Sequence, residues 1–301
     1  MRRAVALLPT LAAVAVLVVV CASRADDLAS ALDRVDAWVF TLACLLHLVV
    51  VVVRTEAWRL TLAAIGRTPP RAAAHWASAI GFMAGIVQGH AALPARMTVA
   101  RRIAPDSTPA LREMVLSDLP VYALEGCLLA ALVPLAAVGR AGLPLWTLAL
   151  AVVAAPGAVL ALRLLHQRFA SHRLAAGLAV LAHPGLRRRL LALSAAVVGL
   201  TFARIWIVLA AVGLPAGPGD AAVAYLAVTA VGQLPLGPAA APAATLAVAR
   251  GGGIAAAAAA GLVVSATSVA GVLAYLACTA TLRPRGLSRR PLTSIARTRT
   301  R

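Results

Sequence analysis

Long apolar runs recur along the whole chain, and the charged residues gather in the short segments between them. A run of about 18 residues or more is long enough to cross, as a helix, the roughly 30 Å hydrocarbon core of a bilayer. Water is absent there, so each crossing segment must satisfy its own backbone hydrogen bonds. Transmembrane barrels show short alternating segments, whereas these runs are continuous Ala, Leu and Val. The pattern predicts an all-α fold, a polytopic integral membrane helix bundle.

The apolar runs also set the positions of the predicted crossings. Helices are expected at about 4–22, 37–53, 118–138, 143–164, 190–213 and 254–282. The run from Ala4 to Ala22 imitates a signal peptide, but it is longer than the usual apolar region of about 7–15 residues. We therefore expect an uncleaved first helix, with cleavage as the alternative.

Charge gives the expected orientation. The chain has a formal net charge of +18, and all of its positive residues are arginines. They gather around 54–71, 93–117 and 163–189 and in the tail at 283–301, whereas the loop at 24–36 is net acidic. Basic loops of membrane proteins face the cytoplasm, which explains the charge without a nucleic-acid partner. We expect one transmembrane domain over residues 1–282 in the cell membrane, both termini cytoplasmic, and a disordered basic tail.

Two further apolar segments, 72–92 and 221–250, contain helix breakers. If 72–92 crossed the membrane, the basic loop 93–117 would lie outside, whereas a re-entrant hairpin keeps it inside. Six crossings plus two broken hairpins satisfy the charge of every loop, and eight simple crossings are the alternative. The predicted breaks are at Leu93, Pro94, Leu234, Pro235, Gly237 and Pro238, with Gly81, Gly85 and Gly89 ahead of the first. The Gly81-x-x-x-Gly85 spacing is alternatively a helix-packing face.

The two broken segments belong to an internal repeat. Leu62-Ala63-Ala64-Ile65-Gly66 matches Leu209-Ala210-Ala211-Val212-Gly213, and each is preceded by an Arg and a Trp. Downstream, Leu93-Pro94 is echoed by Leu234-Pro235. The halves, about 37–138 and 190–282, would enter the membrane from opposite sides. Inverted repeats with discontinuous helices are a recurrent architecture of transporters.

These motifs also carry a family resemblance. The run Arg54-x-x-x-Trp58-Arg59 through Gly66, followed by Leu93-Pro94-Ala95-Arg96, is similar to the first conserved region of the lysylphosphatidylglycerol synthetase transmembrane, or flippase-like, family. The stretch around Arg204 with Leu234-Pro235-Leu236-Gly237-Pro238 resembles the second. The resemblance covers about 37–282 and implies inverted repeats that move anionic or modified phospholipids, or polyprenyl-linked lipids, between leaflets. Members that also synthesise the aminoacyl lipid carry a soluble transferase domain, and we expect none here.

The sequence departs from the family pattern at two places. Met97-Thr98 stand where the family usually has Gly and an acidic residue. Ala239, Ala240 and Ala244 occupy the stretch where it usually has paired glycines and a later Glu. A mechanism in which those acids bind protons or headgroup amines is not expected to carry over.

Ionisable residues at membrane depth are the first candidates for a site, because they cost at least about 2.5–3.5 kcal/mol at a helix centre and usually face a partner or a cavity. Arg204 lies among apolar neighbours and suits a lipid phosphate, or alternatively a structural ion pair with Glu125 or Asp118. Asp118 and Glu125 are seven residues apart, so they project from one helix face. Asp118 is alternatively a first-turn residue favoured by the helix dipole.

Further candidates flank the predicted breaks and complete the proposed headgroup site. These are Arg54, which opens the first motif, Arg96 and Arg101 after the first break, and Gln88 and Gln233 before the two breaks. Arg96 and Arg101 are alternatively positive-inside anchors, and the two glutamines are alternatively helix–helix hydrogen-bonding residues.

No motif for a metal or cofactor is present in the sequence. His47, His75 and His90 are scattered singly, and the only adjacent acidic pair, Asp26-Asp27, lies in a predicted outer loop. We therefore expect neither a metal nor a cofactor, no enzyme activity, and membrane lipids as partners. The first hypothesis is a lipid translocator. The alternatives are a non-catalytic scaffold for envelope-biosynthesis enzymes and, third, a membrane-embedded lipid transferase, which would need clustered acids for a divalent cation.

Overall fold

The architecture comes from a computed structural model, which describes residues 22–87, 91–138, 178–214, 216–232, 240–246 and 253–281, with a few single positions besides. The predicted helices at about 4–22 and 143–164 and the tail at 283–301 lie almost entirely outside these ranges. So do two of the candidate site residues, Gln88 and Gln233, and five of the predicted break positions. The latter are Gly89, Leu234, Pro235, Gly237 and Pro238.

Within the described ranges every regular element is helical. In chain order the helices are α1 Ala25–Asp33, α2 Ala37–Ala64, α3 Arg71–Val87, α4 Ala92–Ile103, α5 Leu111–Ala130, α6 Val133–Val138, α7 Ala179–Ala182, α8 Pro184–Ala211, α9 Pro218–Val231, α10 Ala240–Thr245 and α11 Ile254–Thr281, with a 3₁₀ turn at Pro105–Ser107.

Four stretches in the described part of the chain are long and apolar enough to cross a membrane. They are Ala37–Ala64, Glu113–Ala136, Pro184–Ala211 and Ile254–Thr281. The predicted class, an all-α polytopic membrane bundle, is therefore confirmed.

Helix α2 is longer than the sequence predicted. It was expected to end near Val53, with Arg54 at the membrane interface, but it continues to Ala64 and is 28 residues long. Nothing between Arg54 and Leu60 breaks a helix, and the charged side chains there find partners on neighbouring helices. Arg54 therefore lies inside the helix, ten residues before its end.

Helices α2 and α8 form the central pair of the bundle and run antiparallel. Ala43, near the start of α2, shares a buried cluster with Val208, near the end of α8. Ala57, near the end of α2, shares another with Leu190, near the start of α8. Each helix opens one half of the repeat, so the two halves are inverted with respect to each other.

The repeated sequence at the ends of α2 and α8 forms the same cap. Gly66 and Gly213 adopt φ of 75° and 82°, a left-handed conformation that favours glycine. In both, the amide after the glycine bonds back to the leucine that opens the repeated motif, as in a Schellman cap. These bonds are Arg67 N to Leu62 O (2.9 Å) and Leu214 N to Leu209 O (3.2 Å). The next helix starts five residues after the glycine in both halves, at Arg71 and at Pro218.

Helices α3 and α4 pack against each other as an antiparallel hairpin. A Cβ added at Gly81 would lie 2.8 Å from Cβ of Arg96, and one added at Gly85 would lie 3.1 Å from Cβ of Ala92. Helix α4 has 12 residues and is about 18 Å long, too short to cross a bilayer alone. The hairpin differs from the predicted one, because Arg71–Val87 is a single unbroken helix and the returning helix, Ala92–Ile103, is formed by the segment expected to be a basic loop.

The glycines of the hairpin are packing positions. Gly81 and Gly85 lie inside α3 and leave the helix unbroken, so the helix-packing alternative is correct and their prediction as breakers is wrong. Pro94 is the third residue of α4, where a proline is tolerated because the first-turn amides have no partner within the helix.

The second half contains a smaller counterpart of this hairpin. Helix α9 has 14 residues and α10 has six. The two helices contact each other, α9 also contacts α8, and α10 also contacts α11. Pro242 is the third residue of α10, as Pro94 is of α4. Pro235, which the sequence comparison matched to Pro94, lies outside the described residues. A Cβ added at Gly261 of α11 would overlap Pro242, so α10 rests directly on α11.

The two ends of the bundle differ in charge. The end at which α2 finishes and α8 begins carries Arg59, Arg67, Arg71 and Arg189, and is called the basic end here. The opposite end carries α1 and the carboxylates Asp26, Asp27, Asp33 and Asp36, and is called the acidic end.

Candidate functional site

Charged side chains are buried at several places inside the apolar bundle. Asp118, Glu125 and Arg204 expose 8%, 7% and 4% of their surface. All three were predicted from the sequence, and all three lie on helices that cross the bundle. Each of them can bind a ligand only if its charge is not already paired within the protein.

Glu125 is paired with Arg54. Its Oε2 accepts a hydrogen bond of 2.8 Å from Nη2 of Arg54, across the contact between α5 and α2. The other carboxylate oxygen, Oε1, is buried without a partner among the described residues. The sequence had offered Glu125 as a partner for Arg204, and that assignment is wrong, because packing brings α5 beside α2 at this depth.

Asp118 is paired with Arg96 of α4, which donates to its Oδ2. The guanidinium of Arg96 also lies 4.4 Å from the ring centroid of Trp58, within the range of a cation–π contact. Asp118 is the eighth residue of α5, so the first-turn alternative is wrong. The acid in that first turn is Glu113, whose carboxylate accepts the amide of Ala110 (3.1 Å).

Arg204 has no carboxylate within salt-bridge distance in the described part of the chain. Its Nη1 donates to Oγ of Ser268 at 3.1 Å, and its Nε is buried with no partner among the described residues. The side chains of Cys44 and Tyr225 lie within electrostatic range. His47, which packs against Gly271 of α11, lies within range of both Arg204 and Arg54. The alternative interpretation of Arg204, a structural ion pair with Glu125 or Asp118, is therefore wrong.

The two halves give the arginine of their opening helix different partners. Arg54 of α2 bonds to Glu125, the fifteenth residue of α5. Arg204 of α8 bonds to Ser268, the fifteenth residue of α11. The third long helix of each half thus presents a side chain at the same position. In the first half it is a carboxylate, and in the second it is a neutral hydroxyl.

The remaining candidates are less central. Arg101 is exposed in the last turn of α4 and takes no part in these contacts. No group of three or more His, Cys, Asp or Glu side chains converges in the ranges that the structure describes.

The sequence analysis missed a second polar cluster near the basic end. Glu56 accepts hydrogen bonds of 2.7 Å from Arg59, Arg71 and His75. His75 in turn contacts the hydroxyl of Tyr275 at 2.6 Å. One signal was available, since Glu56 is the only acidic residue between Ala37 and Ala64. The partners come from three helices, so their meeting depended on the packing.

Among the residues that the structure describes, one buried cation lacks a carboxylate partner and can take an anion. A guanidinium offers donors in a planar fork that matches carboxylate and phosphate oxygens. Arg54 and Arg96 already have carboxylate partners, whereas Arg204 has a hydroxyl alone. Arg204, flanked by Ser268 and His47, is therefore the centre of the candidate site.

A protein-family model covers most of the chain. The chain matches the family described as the lysylphosphatidylglycerol synthase TM region over residues 5–283. No curated protein and no solved structure matches it.

Proposed function

The chain belongs to the lysylphosphatidylglycerol synthase TM region family, and we propose that it moves an anionic phospholipid or a polyprenyl-linked lipid between the leaflets of the cell membrane. Membership in this family supports a role connected with membrane lipids. Translocation, rather than enzymatic modification, is the role that the arrangement of charges inside the bundle favours.

The observation that carries the proposal is the uncompensated charge of Arg204. Burial of an ion without a partner costs several kcal/mol, and intramembrane ionisable residues commonly mark substrate pathways. The first half offsets its arginine with Glu125, whereas in the described part of the second half the hydrogen-bond partner of Arg204 is the neutral Ser268. A lipid phosphate at Arg204 would supply the missing negative charge.

The two arginines lie at different depths, which suits a ligand that moves along the bundle. Arg204 is within electrostatic range of Cys44 of α2, which precedes Arg54 by ten residues, or about 15 Å along the helix axis. His47, on the same helix, is within electrostatic range of both arginines. A phosphate at Arg204 can pass to Arg54 if it displaces Glu125, whose second oxygen has no partner among the described residues. The inverted halves would then open alternately on either side of this path.

The basic end is proposed to face the cytoplasm. Arginines concentrate at cytoplasmic ends of membrane helices, and this end carries Arg59, Arg67, Arg71 and Arg189. The acidic end, with α1, would face outward.

Leaflet exchange in reconstituted liposomes tests the proposal. The purified full-length chain is placed in vesicles that contain fluorescent anionic or zwitterionic lipids, and the fraction accessible to an external quencher is followed. Exchange of the anionic lipid above that of empty vesicles is expected, and Arg204→Ala should abolish it. Arg188→Ala is the matched control, since Arg188 is an exposed residue of the same helix, and it should leave exchange unchanged.

Two results would contradict the proposal. One is exchange at the wild-type rate in Arg204→Ala, which would remove Arg204 from the path. The other is no exchange of any anionic phospholipid or polyprenyl phosphate by the wild-type chain, which would favour a scaffold role. Folding of Arg204→Ala is checked by its unfolding transition in detergent, which should not be lowered because the substitution removes an unpaired buried charge.

A further inference from the structure

A continuous chain of hydrogen bonds links three helices near the basic end. Nε2 of His75 on α3 is 2.7 Å from Oε1 of Glu56 on α2. Nδ1 of His75 is 2.6 Å from the hydroxyl of Tyr275 on α11, which is 2.9 Å from Oγ1 of Thr55. Oγ1 of Thr55 donates in turn to the carbonyl of Val51 at 2.9 Å. Thr55 and Tyr275 expose 1% and 2% of their surface, and His75 exposes 8%.

The number of protons in this chain can be counted. Four hydrogen bonds need four protons, because each bond holds one. The hydroxyls of Thr55 and Tyr275 supply one each, and the Val51 carbonyl supplies none. Since Thr55 uses its proton on Val51, Tyr275 must donate to Thr55, and His75 must donate from Nδ1 to Tyr275. The pair of His75 and Glu56 therefore has to hold two protons.

A neutral imidazole beside an ionised carboxylate has only one proton to place in these hydrogen bonds. We propose that Glu56 and His75 form a proton-binding site, and that the bound proton sets the direction of the hydrogen bonds through Tyr275 to Thr55. The proton lies on the imidazole, because Arg59 and Arg71 both donate to Glu56 at 2.7 Å and favour its ionised form. Both ring nitrogens of His75 then donate, Nε2 to Glu56 and Nδ1 to Tyr275.

The surroundings of His75 provide a route for the proton. Glu56 lines a cavity of about 540 Å³ between α2 and α8, together with Arg59 and Arg189. The titratable and charged groups around the pair are Glu56 and Arg59 from α2, Arg71 from α3, Tyr275 from α11 and, across the cavity, Arg189 from α8. The arginines of the last turn of α4, Arg101 and Arg102, are exposed.

Loss of the proton breaks the chain of bonds at one point. A neutral His75 that still donates to Glu56 must accept from Tyr275, so Tyr275 no longer donates to Thr55. Thr55 can then bond either to Tyr275 or to Val51, but not to both. Because His75 belongs to the hairpin of α3 and α4 and Tyr275 to α11, proton binding changes the hydrogen bonds that attach the hairpin to α11. This site goes beyond lipid transfer and does not depend on it.

The test is the protonation state of His75 in the full-length protein. Histidine labelled with ¹⁵N is incorporated, the protein is placed in phosphatidylcholine nanodiscs, and side-chain nitrogen shifts are recorded through the range of about pH 5 to 8 in which histidine changes charge. The signal of His75 is identified by its absence in His75→Gln. We expect both ring nitrogens to be protonated at the lowest pH of this range, and a single Nε2–H tautomer at the highest.

Variants separate the proposed site from an ordinary histidine. Glu56→Gln keeps an acceptor for Nε2 but removes the negative charge, so the midpoint of the His75 titration should fall by about one pH unit or more. His183→Gln is the control, because His183 is exposed at the start of α8 and should leave that midpoint unchanged. Tyr275→Phe removes the acceptor of Nδ1 while keeping the ring packed against Phe82, and should also lower the midpoint.

Either of two results would overturn the proposal. The first is a His75 that keeps a single ring proton over the whole range in the wild-type protein. The second is a Glu56→Gln variant whose His75 titrates as the wild type does, with the variant shown to be folded by the unchanged titration of its other histidines.

Discussion

The hairpin formed by α3 and α4 depends on the absence of a side chain at Gly81. A Cβ at this position would lie 2.8 Å from Cβ of Arg96 and 3.0 Å from the carbonyl oxygen of Ala92. Carbon atoms pack best at about 3.5–4.0 Å, so Gly81→Ala must push the two helices apart. Overpacking of this kind typically costs about 1–3 kcal/mol. The shift also moves Arg96 away from Asp118 and Trp58.

A matched glycine isolates this packing cost. Gly199 lies inside α8, and a Cβ added there meets nothing within 4 Å. Alanine is favoured over glycine in a helix by about 1 kcal/mol, and this gain is shared by both substitutions. The difference in free energy of unfolding between Gly81→Ala and Gly199→Ala is therefore expected to be about 1–3 kcal/mol. Unfolding of the full-length chain in mixed micelles measures it, and equal stabilities of the two variants would refute the close packing of the hairpin.

Three further predictions concern buried contacts. Asp118→Asn should lower the unfolding free energy by about 3–5 kcal/mol, because Arg96 loses its counter-ion. The double variant Asp118→Leu with Arg96→Met should recover most of the lost unfolding free energy, and denaturation in micelles compares the two proteins. Gly261→Ala should destabilise the protein more than Gly199→Ala, since its Cβ would overlap the backbone of Pro242, and the same assay ranks them. Glu125→Gln weakens the ion pair with Arg54 and should increase the affinity of the protein for anionic lipid, measured by the amount of lipid that co-purifies with it. An unchanged amount would contradict the proposal that a lipid phosphate replaces Glu125 as the partner of Arg54.

Apolar length and turn chemistry were sufficient to predict the class and much of the repeat. The long helices contain apolar runs that only a helix can carry through a bilayer. The glycines that end α2 and α8 were recognisable because each closes the same five-residue motif. Both features are local, so the sequence contains them directly.

Helix ends and the partners of charged side chains were harder to predict from the sequence, because they depend on how the helices pack. The first arginine of α2 marked a predicted helix end, yet a charge inside a helix is stable when a carboxylate from another helix reaches it, as Glu125 reaches Arg54. The assignment of carboxylates to arginines required knowing that α5 lies beside α2. His75 looked isolated because its partners are 19 and 200 residues away along the chain.

Arg204 has no carboxylate counter-ion among the described residues, and we propose that a lipid phosphate binds there. Ser268→Asp places a carboxylate where the first half has Glu125, within reach of a guanidinium that now lies 3.1 Å from the serine hydroxyl. Ser268→Ala is the control, since it removes the hydrogen bond and leaves the charge free.

Anionic lipid exchange and the unfolding free energy are then measured on the same preparations. Ser268→Asp should abolish exchange while leaving the protein as stable as the wild type or more so, and Ser268→Ala should continue to exchange lipid. Exchange at the wild-type rate in a folded Ser268→Asp protein would contradict this proposal.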